Sequence, residues 1–157
     1  MGINWYPQIE LSIEERKKWV REHRIHKIAM GASFDELLKE APKRKLPCES
    51  VNVAKDRNCN KCPLFNELIE KNPKGYYLGV ICAPCGFRAG SMGSNKALRF
   101  DLRNDACRSM LPSEMLEYAD ELEKEINPDV LAVLPITEAI HWLRVCAKYG
   151  ACKTLFL

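Results

Sequence analysis

The sequence predicts an α+β fold in three parts: an N-terminal helical hairpin, a central zinc-ribbon-like lobe built on four cysteines, and a C-terminal helix followed by a βαβ unit. Three observations carry this reading. Two helix-capping boxes stand near the start of the chain, Ser12 with Glu15 and Ser33 with Glu36. Two Cys-x-x-Cys steps, Cys59–Cys62 and Cys82–Cys85, enclose 19 residues, which fits a four-thiolate zinc template. Beyond Pro112 the apolar residues recur at helical spacing, then run unbroken over 130–134, then recur at helical spacing again. The parts divide as 1–47, 48–93 and 94–157, read as one compact domain with a metal-held lobe.

Composition sets the outer bounds. The chain has 157 residues, 46% hydrophobic and 29% charged, as in an ordinary soluble globular protein. No apolar run approaches the length of a membrane span, so no membrane partner is expected. The segment Met1-Gly2-Ile3-Asn4-Trp5-Tyr6 lacks the basic and apolar regions of a secretory signal, and a cytoplasmic location is expected. In that compartment the eight cysteines point to metal or redox chemistry and not to disulfides. Charge is uneven along the chain. Residues 1–75 carry 15 Lys/Arg against 11 Asp/Glu, 76–111 carry 5 against 2, and 112–157 carry 4 against 8. A basic front and an acidic back suit a polyanion on one side and a protein on the other.

The first helix starts at the Ser12 box and stops at Gly31; the second starts at the Ser33 box and stops before Pro42. On the first, Arg16, Lys17, Arg21, Arg24 and Lys27 fall in an arc of about 140° at 100° per residue, a cationic face able to meet phosphates. His23 and His26 share a side with Trp19, and as a pair three apart they could ligate a metal. Segment 42–47, Pro-Lys-Arg-Lys-Leu-Pro, reads as a basic linker.

In the cysteine lobe, the β-forming residues 76–81 read as a strand delivering Cys82, and Gly86 suits the tight turn of a metal knuckle. Cys59, Cys62, Cys82 and Cys85 together offer the soft tetrahedral donors that Zn2+ prefers in a closed structural site. An iron–sulfur cluster is the alternative, because Cys62-Pro63 occurs in cluster-binding runs and Cys48 or Cys107 could add a ligand. Cys82-Ala83-Pro84-Cys85 also resembles the active-site turn of thioredoxins. The segment after Cys85 is glycine-rich and a poor helix former, whereas such turns need a helix there to lower the thiol pKa.

Residues 86–96 read as a flexible, glycine-rich connection. From there Arg88, Lys96, Arg99, Arg103 and Arg108 make the most one-sided basic stretch, with Phe87 and Phe100 interleaved as surfaces for stacking on bases. In the last third, Met115, Ala119, Leu122 and Ile126 form an apolar helical stripe with Tyr118 beside it. Segment 130–134 reads as a buried strand and 137–149 as a helix with Trp142, Val145, Cys146 and Tyr149 on one side. Segment 154–157 reads as a second strand, completing a βαβ crossover.

No H-E-x-x-H, G-x-S-x-G or Walker loop is present, and the sequence points away from catalysis. The function it predicts is a small intracellular protein with structural zinc on Cys59, Cys62, Cys82 and Cys85. It would bind nucleic acid through Arg16, Lys17, Arg21, Arg24, Lys27, Arg88, Lys96, Arg99 and Arg103. The alternatives are an accessory subunit of a larger protein assembly and an iron–sulfur or thiol redox protein.

Overall fold

The computed structural model describes residues 3–47, 62–71 and 85–156. Among these residues the fold is α+β, with nine helices and four strands. The chain divides into two units, one of Ile9–Leu46 and one of Met1–Gln8 with Pro47–Leu157.

The smaller unit begins within strand β1 (Asn4–Glu10) and continues through α1 (Ile13–His23), α2 (Ile25–Ala29), α3 (Phe34–Leu38) and β2 (Arg44–Lys45). The Ser12 box forms as expected: Ser12 Oγ accepts from Glu15 N at 3.1 Å, and Ser12 N donates to Glu15 Oε1 at 3.4 Å. The expected first helix is split in two at Arg24, whose φ of −129° is not helical. The Arg24 guanidinium lies 4.7 Å over the Trp19 ring and donates to the His23 carbonyl at 2.9 Å. It thereby gives a carbonyl at the break a charged donor. Gly31 ends α2 with φ +88°, the left-handed stop that only glycine adopts without strain. Ser33 occupies the cap of α3 without the side-chain bond expected of it.

A small core of Val20, Leu37 and Ala41, with Trp19, Phe34 and Leu38 packed against it, joins α1 to α3. Within the segment 42–47, expected to be a basic linker, Arg44 and Lys45 form a short strand. β2 pairs antiparallel with β1 in the register Ile9↔Lys45 and Glu10↔Arg44. Its charges are matched, since Lys45 reaches Glu15 at 2.9 Å and Arg44 reaches Glu10 at 3.8 Å.

The larger unit holds α4 (Pro63–Lys71), β3 (Phe87–Arg88), α5 (Gly90–Ser94), α6 (Phe100–Ala106), α7 (Pro112–Lys124), α8 (Pro128–Val133), α9 (Ile136–Lys148) and β4 (Ala151–Phe156). The start of β1 pairs antiparallel with β3, Asn4 opposite Arg88 and Trp5 opposite Phe87. β4 also pairs with β1, and Lys153 forms an antiparallel bridge with Met110. Trp5 is the centre of the core. It is fully buried, with Phe87, Trp142 and Tyr118 at ring-centroid distances of 5.0, 5.6 and 6.0 Å, and its indole N–H donates to the Ala106 carbonyl at 2.8 Å. Aromatic pairs in such tilted and edge-on arrangements add about 1 kcal/mol each beyond their buried area.

α7 packs along α9. Pro112 is its first residue, Glu114 accepts from Leu111 N at 3.0 Å, and Met115, Tyr118, Ala119 and Leu122 are buried, so the predicted stripe is the inner face except at Ile126, which lies beyond the helix and is exposed. On α9, Trp142, Val145 and Cys146 are buried as expected, but Tyr149 caps the helix and is exposed, and Gly150 follows with φ +72°. Arg144 ties the two helices together through Asp120 at 3.0 Å and through Glu123.

The predicted fold class is corrected here. No zinc ribbon is present among the described residues: β3 is two residues long and pairs with β1, and no three His, Cys, Asp or Glu side chains there form a group able to hold a metal. The C-terminal βαβ unit is absent among them as well. Segment 130–134 belongs largely to α8, because Asn127 caps it by accepting from Val130 N at 3.1 Å and Pro128 occupies the first helical turn. An apolar run of this length fits a short helix as well as a strand, these two signals decide for the helix, and within the run only Val130 and Leu134 are buried. The glycine-rich stretch after Cys85 is also ordered, as β3 and α5, with Met92 and Ala89 buried. The strand expected over 76–81 lies outside the described residues. Among the described residues no helix is long and apolar enough to cross a membrane.

Candidate metal centre and nucleic-acid interface

Of the four expected zinc ligands, Cys62 and Cys85 are described, while Cys59 and Cys82, like Cys48, lie outside the described residues. Cys62 sits immediately before the nine-residue helix α4, where its carbonyl accepts from Asn66 N at 3.0 Å. Cys85 is held from α9: the Trp142 indole N–H donates to its carbonyl at 2.7 Å. α4 packs on the same helix, and Lys148 of α9 reaches Glu67 of α4 at 2.7 Å. One cysteine from each Cys-x-x-Cys step is therefore anchored to α9.

Cys146 lies on α9 one turn beyond Trp142 and is fully buried. Burial pushes its thiol well above the ordinary cysteine range, and the nearby thiols of Cys85 and Cys62 push it further. Both described candidate ligands are thus within electrostatic reach of a third cysteine. Among the described residues these three thiols do not form a group able to hold a metal, so a four-thiolate site would need Cys59 and Cys82, which lie outside them. The donor chemistry fits zinc. Cys107 is elsewhere: it is exposed and its Sγ stands beside Gly93. His23 and His26 do not form a metal pair; His23 stacks on Trp19 at 4.8 Å and its Nδ1 meets the Trp19 carbonyl at 3.0 Å.

The basic residues fall into two groups. In the smaller unit most are engaged internally. Arg16 donates to the Leu38 carbonyl at 2.8 Å, Lys17 lies 3.6 Å from Glu14, and Arg24 and Lys27 share Glu40 at 2.7 and 3.2 Å. The two cations hold the Glu40 carboxyl below its usual range, Arg24 most strongly. Arg21 lies 6.0 Å over the Phe34 ring. On the cationic face of the first helix Lys17, Arg24 and Lys27 thus meet two carboxylates, while Arg16 bonds a backbone carbonyl and Arg21 lies over an aromatic ring.

In the larger unit, Arg99 is matched to Glu121, Glu125 and Asp101 at 3.1, 3.2 and 3.6 Å. Lys96 is exposed with no ion-pair partner among the described residues, and Arg88 is exposed beside the core residue Phe87. Phe100 and Arg103, three apart on α6, form a different arrangement. Phe100 is 69% exposed, and the Arg103 guanidinium lies 5.5 Å over its ring. Among the described residues Arg103 has no ion pair, and its Nε has no hydrogen-bond partner. Of the two phenylalanines expected to interleave with basic residues, only Phe100 is at the surface.

Lys153 is the titratable group that sequence reading missed. It sits in the middle of β4 with no solvent exposure, its amine 4.4 Å over Trp5 and 5.2 Å over Tyr118, donating to the Asp105 carbonyl. Burial first, and then the Arg108 charge, bring its pKa down to about 7. A lysine between Cys152 and Thr154 looks like an ordinary outward residue of an alternating strand, and nothing in the sequence marks the aromatic box around it.

No protein-family model matches the chain, and no curated protein or solved structure shows significant similarity to it.

Proposed function

We propose that this chain is a small metal-braced protein that binds single-stranded nucleic acid, with structural zinc on Cys59, Cys62, Cys82 and Cys85. The observation that carries the nucleic-acid part is the exposed Phe100 ring with Arg103 lying over it. A large aromatic side chain at the surface is costly to leave in water, and a base stacked on it gains about 1–3 kcal/mol. The Arg103 guanidinium, free of carboxylates among the described residues, supplies both a phosphate donor and a cation–π contact. Lys96, Arg88 and Arg99 add positive charge on neighbouring elements. Arg99 would exchange its carboxylate partners for phosphate at small cost, because exposed ion pairs contribute little to stability. The anchoring of Cys62 and Cys85 to α9 supports the metal part. Zinc there would cross-link the segments carrying the two Cys-x-x-Cys steps, a folding contribution and not a catalytic one.

The test is fluorescence anisotropy with a labelled single-stranded oligonucleotide and the same sequence as duplex, using zinc-loaded protein with metal content measured by elemental analysis. The expected results are one zinc per chain, preference for the single strand, affinity that falls steeply with salt, and a loss of roughly tenfold or more in Phe100→Ala. Zinc-loaded protein that binds neither strand at low salt would sink the reading.

A further inference from the structure

We infer that Glu121 and Glu125 form an autoinhibitory clasp on the nucleic-acid surface, holding Arg99 in ion pairs that a strand must break before its phosphate can reach the guanidinium. The inference rests on the Phe100 reading above and names what restrains that site. Arg99 caps α6 and directly precedes Phe100. Three carboxylates already claim it: Glu121 at 3.1 Å, Glu125 at 3.2 Å and Asp101 at 3.6 Å. Arg103, on the next turn, lies over the Phe100 ring and has no ion pair among the described residues. One cation of the site is therefore open to phosphate, and its neighbour is engaged by the protein itself.

The three carboxylates do not hold Arg99 equally. Asp101 is the farthest, and its side chain is 69% exposed, so water and salt screen it. Glu121 accepts from Arg99 and also from Lys124 at 2.9 Å, and it keeps that second cation when Arg99 leaves. Glu125 has no other ion pair among the described residues, and its side chain is only 24% exposed. Losing Arg99 strands this mostly covered carboxylate without a partner, so Glu125 carries most of the restraint. A phosphate offers the guanidinium an equivalent charged acceptor, which lets a strand open the clasp at a cost set mainly by Glu125.

The experiment measures affinity for the labelled single strand by fluorescence anisotropy in variants of the full chain that each lose one negative charge: Glu125→Gln, Glu121→Gln, Asp101→Asn and Glu117→Gln. Glu117 is exposed on the same helix with no ion pair among the described residues, so its variant reports charge alone. Glu125→Gln is expected to bind about threefold to tenfold more tightly than the wild type, and Glu121→Gln to gain less. Asp101→Asn and Glu117→Gln should change affinity by less than about twofold. The gain of Glu125→Gln should vanish when Arg99→Ala is added. If Glu125→Gln lowers the melting temperature, the more exposed Glu121 keeps the test: Arg99→Ala should then cost more affinity in Glu121→Gln than in the wild type. Equal gains in Glu117→Gln and Glu125→Gln, or a gain that survives Arg99→Ala, would overturn the clasp in favour of general charge repulsion and leave the nucleic-acid reading standing. If neither the wild type nor any variant binds the strand, that reading falls and the clasp falls with it.

Discussion

Trp142 of α9 donates its indole N–H to the carbonyl of Cys85 at 2.7 Å, so a buried core residue fixes the backbone of a candidate metal ligand. The Trp142 ring also packs against Trp5 at 5.6 Å and Phe87 at 6.5 Å. Trp142→Phe keeps an aromatic ring in that cluster and removes only the donor. Leaving the carbonyl unpaired costs about 1–3 kcal/mol. Urea unfolding should register that loss, and bound zinc should pass to a chelator faster than from the wild type. Wild-type zinc retention in Trp142→Phe would separate the indole bond from the metal site.

Lys153 predicts an unusual pH dependence. Its pKa is about 7 in the fold, against an ordinary lysine value of about 10.4 in the unfolded chain. Between these two values the unfolded chain holds more protons, so stability rises with pH and is lost as pH falls through 7. The slope approaches about 1.4 kcal/mol per pH unit in the middle of that window. Cys146 acts in the opposite direction at higher pH, because its raised thiol pKa costs stability once unfolded cysteine ionises. The clean interval is therefore from pH 7 to about 8.5, the ordinary cysteine pKa. Denaturant midpoints over that interval should climb in the wild type and stay flat in Lys153→Met. A flat wild-type profile would mean that the amine stays charged in its aromatic box.

Gly93 is predicted to accept a side chain only if Cys107 and Ile3 shift. A Cβ at that position would stand 2.9 Å from Cys107 Sγ and 3.2 Å from Ile3 Cδ1. Gly93→Ala should destabilise the protein by at most about 1 kcal/mol, because both atoms end flexible side chains and Cys107 is exposed. Adding Cys107→Ala removes the closer of the two atoms, so the double variant should recover much of that loss. Strict additivity in the mutant cycle would refute the steric account.

Ser12→Ala removes the side-chain half of the α1 capping box and should cost about 1 kcal/mol. Glu15 belongs to the same box, and its carboxyl is held below the usual range by the Lys45 hydrogen bond first and the Ser12 backbone second. Thermal melts of the single variant measure the cap. An unchanged melting temperature would mean that the β2 contact alone holds this corner.

The parts of the fold that were legible in the sequence are those set by local chemistry. The Ser12 box, the Gly31 and Gly150 stops, and the inner faces of α7 and α9 follow from residues within a few positions of one another. What escaped depends on distant partners. Residues 4–10 have no clear signature by themselves and become β1 because β2, β3 and β4 meet them. Residues 44 and 45, read as linker, are strand for the same reason. Arg24 and Lys27 looked free on a helical wheel, but Glu40 reaches them from beyond α3. The Phe100–Arg103 spacing was visible as a pattern, whereas the burial of Phe87, which separates the two phenylalanines, comes from its place opposite Trp5.

The pairing of β4 with β1 has a consequence for the order in which this protein is made. Thr154 Oγ1 meets Gln8 Oε1 at 3.1 Å across 146 positions of chain. The contacts of α1–α3 are short-range and can form while the ribosome is still translating. β1 waits for the long intervening segment before β4 arrives to cover it, and closing so long a loop slows folding. During that wait the Trp5 strand is an exposed edge, open to pairing with other chains. An unpaired β1 during synthesis is the exposure this topology builds in.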